Sequence, residues 1–225
     1  MNMLVNPPQV DDWTWIDAIQ MGMPILAKLS ATTGDPRYAE KAYEMYSWTR
    51  NPLAGGLYNK KDGLWWRDAD FVPPYKEPNG KDCYWSRGNG WVVAALVRVL
   101  DEIPADDPHR KEYEKDLQVK CQREDGFWNV SLHDPSNFGG KEVTGTALFV
   151  YGMAYGVRNG ILDHDKYMPV ITKAWNAMAK EAVHPNGYLG YVQGTGKEPK
   201  DGQPVAYDSK PDFDDYGTGC FLLAG

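Results

Sequence analysis

Four apolar helical runs, each entered through a turn of glycines or aromatics, constrain this chain more than any other feature. They begin near Asp17, Asn89, Gly145 and Gly219. In the second, Trp91 to Ile103, the residues Val92, Val93, Leu96, Val97, Val99 and Leu100 leave almost no polar side. A helix that is apolar all round is buried on all sides rather than lying on a surface. Helices of another kind lie between these runs. Tyr38, Ala42, Met45, Tyr46 and Thr49 recur at helical spacing, with Arg37, Glu40, Lys41 and Glu44 between them. Tyr113, Leu117 and Cys121 do the same, and so do Tyr167, Val170, Ile171, Ala174, Trp175 and Met178. Helices of this kind bury one face only.

The chain thus repeats a unit: a one-faced helix, a Gly-aromatic turn, a long loop, a Gly-rich helix start and a buried helix. The turns are Gly56-Leu-Tyr58, Gly126-Phe-Trp128 and Gly187-Tyr-Leu189. Buried helices alternating with surface helices predict an all-α fold of two concentric layers. Connections in a plain helical bundle run to only about 2–8 residues. Long loops that always precede the buried helix favour a functional face at that end. The first buried helix is expected from about Ile16 to Leu29, with Pro24 able to bend it. Asp35 caps the next helix and Pro36 opens it. A polar helix follows Asp107-Pro108 from Arg110 to Cys121, and Asp165 starts the third one-faced helix. Pro73, Pro74 and Pro78 argue against regular structure between Pro52 and Asp82. Four inner and three outer helices do not close a six-hairpin ring. Residues 1–225 are therefore expected to form a single barrel domain, truncated at the N-terminus and just short of the C-terminus. An open barrel would expose apolar surface and invite a partner or self-association.

Composition narrows the chemistry. The net charge of −7, with no basic run, argues against nucleic acid as a partner. No apolar run reaches transmembrane length, so no membrane association is expected. The first residues show no basic start followed by an apolar stretch, and the compartment, cytoplasmic or periplasmic, stays open. The odd cysteine count, from Cys83, Cys121 and Cys220, gives no complete disulfide framework. Cys121 and Cys220 sit in apolar contexts and are expected to be core thiols. His109, His133, His164 and His184 have no metal spacing. There is no phosphate loop, dinucleotide fingerprint or GxSxG elbow, so neither a metal nor an organic cofactor is expected. Aromatics reach 13%, with nine Trp and fourteen Tyr, which suits sugar stacking and an aromatic core equally.

Candidate site residues collect where buried helices begin. Trp85-Ser-Arg87-Gly-Asn89-Gly-Trp91 turns on two glycines into an apolar helix and presents aromatics and a cation at its mouth. This suggests a site for a ring-shaped, anionic ligand, the alternative being packing aromatics at a helix start. Arg87 could grip a carboxylate in bidentate fashion or pair with a nearby Asp. Asp17 follows Trp13 and Trp15 at the mouth of another buried helix. A carboxyl in an apolar pocket has its charged form disfavoured and its pKa raised, which suits a general acid. The alternative is a cap or a satisfied polar group. Arg67, in Trp65-Trp66-Arg67-Asp68, is a second cation for a ligand or a partner for Asp68 or Asp70.

Taken together, Trp15-x-Asp17, Thr33-Gly-Asp-Pro-Arg-Tyr38, Trp85-x-Arg87-Gly-Asn-Gly-Trp91, Cys121-Gln-Arg-Glu-Asp-Gly-Phe-Trp128, Thr144-Gly-Thr-Ala147 and Gly217-x-Gly219 resemble the unsaturated glycuronyl hydrolases of glycoside hydrolase family 105, kin of family 88. The similarity is greatest to unsaturated rhamnogalacturonyl hydrolases. It implies an (α/α)6 barrel, incomplete here. It also implies removal of a 4,5-unsaturated uronic acid from the non-reducing end of pectin-type oligosaccharides, the oligosaccharide being the expected partner. By the same resemblance Asp17 is the general acid/base, and Trp15, Arg67, Trp85, Arg87, Asn89 and Trp91 bind substrate. Many relatives carry a histidine where this chain has Arg67, so either Arg67 takes that role or the substrate differs. Two other readings remain: a non-catalytic carbohydrate-binding barrel, and another (α/α) barrel sugar enzyme. An inverting glycosidase would need a second carboxylate about 6.5–9.5 Å from the first, for which Asp70 and Asp215 are the candidates.

Overall fold

The computed structural model describes residues 4–117, 119–210 and 215–225, without the side chain of Asp215. The elements in chain order are α1 (Asp17–Thr33), α2 (Arg37–Arg50), a hairpin of β1 (Tyr58–Asn59) and β2 (Leu64–Trp65), α3 (Ser86–Glu102), α4 (Arg110–Lys115), α5 (Val143–Arg158), α6 (His164–Glu181) and α7 (Asp215–Ala224). Helices α1, α3, α5 and α7 pack side by side in that order, while α2 backs α1, α4 backs α3 and α6 backs α5. These are the inner and outer layers of an (α/α) barrel wall, as the alternation of all-apolar and one-faced helices requires.

The inner helices approach closely because glycines face large neighbours. A Cβ on Gly152 of α5 would lie 2.0 Å from Val93 Cγ1 of α3, and one on Gly90 of α3 would lie 2.9 Å from Leu148 Cβ. The N-terminal ends gather on one side of the wall. Gly88 of α3 sits against Ile16 and Asp17, and Gly145 of α5 sits against Ser86. Glu142, fully buried, ties two of these ends together. Its carboxylate accepts from the backbone N–H groups of Thr144 (2.9 Å) and Gly145 (2.7 Å) and from Ser86 Oγ (3.3 Å). An anion there meets the unsatisfied amides and positive dipole end of α5.

Several expectations need correction. The segment 52–82 contains a short antiparallel hairpin, with Tyr58 opposite Trp65 and Asn59 opposite Leu64. The buried side chains of Leu64 and Trp65 hold it on the core. Helix α4 ends at Lys115 instead of reaching Cys121, because Asp116 is drawn away into a buried cluster. Its carboxylate accepts from Arg50 Nε (2.7 Å) and Nη2 (3.1 Å) and from the Tyr46 hydroxyl (2.6 Å). Beyond it the chain turns, and Cys121 is exposed with φ +70 rather than a core thiol. Cys220 is buried, as expected. Helix α1 runs on through Pro24 to Gly34, whose φ of +72 closes it. It is buried on one side only: Met21 and Ile25 are each 60% exposed, since α1 packs mainly on α2 and α3 among the described elements. Helix α6 begins one residue before Asp165, capped by the Asp163 carboxylate on the Lys166 amide (2.8 Å). No described helix is long and apolar enough to cross a membrane.

Candidate active site

The gathered N-terminal ends of α1, α3 and α7 hold most of the candidate residues. The chain before α1 pairs with the segment after β2: Trp15 bridges Asp68, and the Ile16 amide donates to the Arg67 carbonyl at 3.0 Å. This brings Arg67 beside Asp17, with its guanidinium 5.9 Å from the half-buried Trp15 ring. The absence of a Cβ on Gly88 lets α3 approach Asp17; a Cβ there would lie 3.5 Å from Asp17 Oδ1 and 2.9 Å from the Trp85 ring.

Asp17 is the group whose electrostatics stand out. Burial pushes its carboxyl up from 3.8 to about 6, opposed by the cations Arg67 and then Arg87 and reinforced by Asp68. Its Oδ1 is buried and meets no hydrogen-bond partner among the described residues. A satisfied cap would look different: its oxygens would accept amides, as those of Glu142 do. Arg67 pairs with Asp68 through a short Nη1 contact, while its Nε is buried without an acceptor among the described residues. The other proposed partner, Asp70, is turned outward, 74% exposed, and pairs with Lys197 at 3.2 Å. The side chain of Asp215 lies outside the described residues.

Three of the six expected binding residues have framework duties. Trp85 is 2% exposed, and its indole N–H donates to Gln193 Oε1 at 2.8 Å. Asn89 clasps β2: its Oδ1 accepts from the Trp65 amide (2.8 Å), and its Nδ2 donates to the carbonyls of Trp65 and Trp85, each at 3.0 Å. Arg87, also buried, donates to the carbonyls of Gln193 and Gly194, both at 2.7 Å, and to the Tyr216 hydroxyl at 3.3 Å. Its partners are two main-chain carbonyls and a tyrosine hydroxyl, not the aspartate considered from the sequence. Trp91 is half-buried, one helical turn beyond Arg87 on the same face of α3.

Asp68, Gln193, Gly194 and Tyr216 were missed as site residues. Asp68 was visible only as a partner for Arg67, and Tyr216 only as the residue before a Gly-rich helix start. Gln193 carries no local signal, because its partner Trp85 is 108 residues away. The histidines have contacts of their own, and His133 packs edge-on against Tyr84. His109 stacks on Tyr43, His184 stacks on Tyr207, and His164 pairs with Asp165. Among the described residues no three His, Cys, Asp or Glu side chains gather as a metal site.

The sequence model described as Glycosyl Hydrolase Family 88 matches residues 5–225. An unsaturated 3S-rhamnoglycuronyl hydrolase of Formosa agariphila is 39% identical over 224 residues, covering 95% of this chain and 56% of that protein. The solved structure of a glycosyl hydrolase family 88 protein from Bacteroides vulgatus superposes with a TM-score of 0.88 at 38% identity, covering 98% of this chain and 63% of that one. A possible member of GH105 from Salmonella enterica follows with a TM-score of 0.72 at 27% identity, over 93% of this chain and 55% of that one. The chain thus spans little more than half the length of the curated relative it matches. With the family model matched over nearly all of its length, this chain belongs to glycosyl hydrolase family 88.

Proposed function

We propose that this chain is the site-bearing part of a hydrolase that removes a 4,5-unsaturated uronic acid from the non-reducing end of an oligosaccharide. One observation carries the reading: an inner-helix carboxyl, Asp17, held near neutral pKa with an unpartnered oxygen between two arginines. A carboxyl of that kind holds a proton long enough to donate it close to neutral pH. In the reaction protonated Asp17 gives its proton to C4 of the C4=C5 bond. Positive charge develops at C5, shared with the ring oxygen. Water adds at C5, and its extra proton returns to the Asp17 carboxylate. The C5 hemiketal then opens, and the hemiacetal left at C1 collapses to release the neighbouring sugar. One carboxyl performs both proton transfers, so the paired carboxylates of ordinary glycosidases are not required. The outward-facing Asp70 is consistent with a single working carboxyl.

The uronide is proposed to be linked to rhamnose. That follows from the motif resemblance to rhamnogalacturonyl hydrolases and from the name of the Formosa relative. The test offers the purified chain two unsaturated disaccharides, one of the rhamnogalacturonan type and one of the rhamnoglycuronyl type, and follows loss of the double-bond ultraviolet band. Turnover of either supports the reading, and the faster one names the aglycone class. Tight binding of either without turnover would instead mark a carbohydrate-binding barrel.

A further inference from the structure

We infer that Asp68 is a positioning residue for Asp17: it holds Arg67 in an ion pair and so keeps that guanidinium from closing on the Asp17 carboxyl. The inference deepens the proposed function and rests on it only for the use to which the Asp17 proton is put.

A carboxylate with a guanidinium beside it ordinarily accepts from the arginine fork. Such pairing favours the charged form and lowers the carboxyl pKa by about 1–3. An aspartate paired in that way has no proton to donate near neutral pH. Arg67 is placed where it could do this. The amide of Ile16, the residue before Asp17, donates to the Arg67 carbonyl at 3.0 Å, and the guanidinium lies 5.9 Å from the Trp15 ring centre. Yet Asp17 Oδ1 accepts no hydrogen bond from a described residue, and Arg67 gives Nη1 to Asp68 Oδ2 in a short contact.

Asp68 is fixed in the place from which it can hold this arginine. Its main chain bridges Trp15, so it is tied to the stretch that leads into α1. The residue is buried, and its Oδ1 accepts from the Asp70 amide at 2.8 Å. One oxygen is thus anchored to the main chain while the other holds Arg67. The charge of Asp68 acts in the same direction as the contact. Burial holds the Asp17 carboxyl up at about 6, Arg67 and then Arg87 pull it down, and Asp68 pushes it up. Arg87, the cation that α3 brings to Asp17, donates to the carbonyls of Gln193 and Gly194 and to the Tyr216 hydroxyl of α7. Asp68 is therefore the carboxylate against which Asp17 competes for Arg67.

The experiment follows the Asp17 carboxyl directly, by NMR titration of the carboxyl carbons of isotopically labelled aspartates. The Asp17 signal is assigned by its loss in Asp17→Asn. Wild type, Asp68→Asn, Arg67→Gln and the double variant are compared, each first checked for folding by circular dichroism. Asp68→Asn keeps an acceptor for the Asp70 amide and removes the charge, so Arg67 is released while the turn is kept. It should lower the Asp17 midpoint by about one pH unit or more. With an unsaturated disaccharide the descending limb of kcat/KM should move down with it, and the rate near neutral pH should fall roughly 10-fold. The double variant separates release of Arg67 from a simple loosening of the turn. In the Arg67→Gln background there is no guanidinium to release, so Asp68→Asn should lower the midpoint far less than it does in wild type. A midpoint that Asp68→Asn leaves unchanged or raises, or lowers as much without Arg67 as with it, would overturn the inference. If the midpoint falls only when Arg67 is present but no protein turns the disaccharide over, the hydrolase reading falls and the role of Asp68 stands.

Discussion

Asn89 of α3 holds Trp65 of β2 by both of its main-chain polar atoms, accepting from the amide at 2.8 Å and donating to the carbonyl at 3.0 Å. A side chain on a buried helix thus replaces the neighbouring strand that β2 lacks. It also fixes the segment that carries Arg67 to Asp17. Asn89→Ala leaves a buried amide and carbonyl unpaired and should cost about 1–3 kcal/mol in urea unfolding. Asn89→Asp keeps the acceptor but loses both donated bonds and buries a charge, so it should be no milder. A near-zero effect of either change would show that the clasp is ornamental.

The contact between α3 and α5 depends on Gly152, where a Cβ would lie 2.0 Å from Val93 Cγ1. Gly152→Ala should destabilise by about 1–3 kcal/mol through overpacking. Adding Val93→Ala should recover part of that loss, so the double mutant is more stable than the sum of the single changes predicts. Simple additivity would contradict this packing.

The raised carboxyl of Asp17 has a stability consequence with a definite sign. Its pKa is 3.8 in the unfolded chain and about 6 in the fold. The group therefore favours folding fully below the lower value, and that contribution is lost as pH rises through the upper one. Asp17→Asn cannot ionise. Relative to wild type it should be more stable at about pH 7.5 than at about pH 4, by about 2 kcal/mol, as read from urea midpoints at the two pH values. A pH-independent difference would mean that the carboxyl is not perturbed.

The same group should shape the rate profile. If protonated Asp17 is the acid, kcat/KM on the unsaturated disaccharide should fall as pH rises past about 6. Arg67→Gln removes the cation that most lowers this pKa, so the descending limb should move to higher pH. A limb that stays in place in this variant would assign it to another group.

Much of this fold could be read from residue patterns, because inner and outer helices differ in how many sides are apolar. Trp91 to Ile103 and Ala147 to Ala154 announce themselves, and both are inner helices. What could not be read depends on partners distant in sequence. The α4 pattern of Tyr113, Leu117 and Cys121 has helical spacing, yet Asp116 leaves the helix for Arg50, 66 residues earlier. The hairpin has two-residue strands and depends on Asn89, so local propensity says little about it. In the site, Asp17 and Arg67 could be singled out as ionisable groups beside tryptophans, each with a bland alternative, and the alternative for Arg67, a partner for Asp68, is present in the fold. Trp85, Arg87 and Asn89 looked equally ligand-facing, since the sequence does not show that Gln193, Gly194 and Trp65 occupy their polar groups.

The central claim is that Asp17 protonates the double bond of an unsaturated uronide. It is tested most directly by following the ultraviolet band of that bond as wild type and Asp17→Asn meet an unsaturated rhamnose-linked disaccharide. The band should decay with wild type, and the Asp17→Asn variant, its fold unchanged, should be slower by about 100-fold or more. Equal decay with both proteins would contradict the claim.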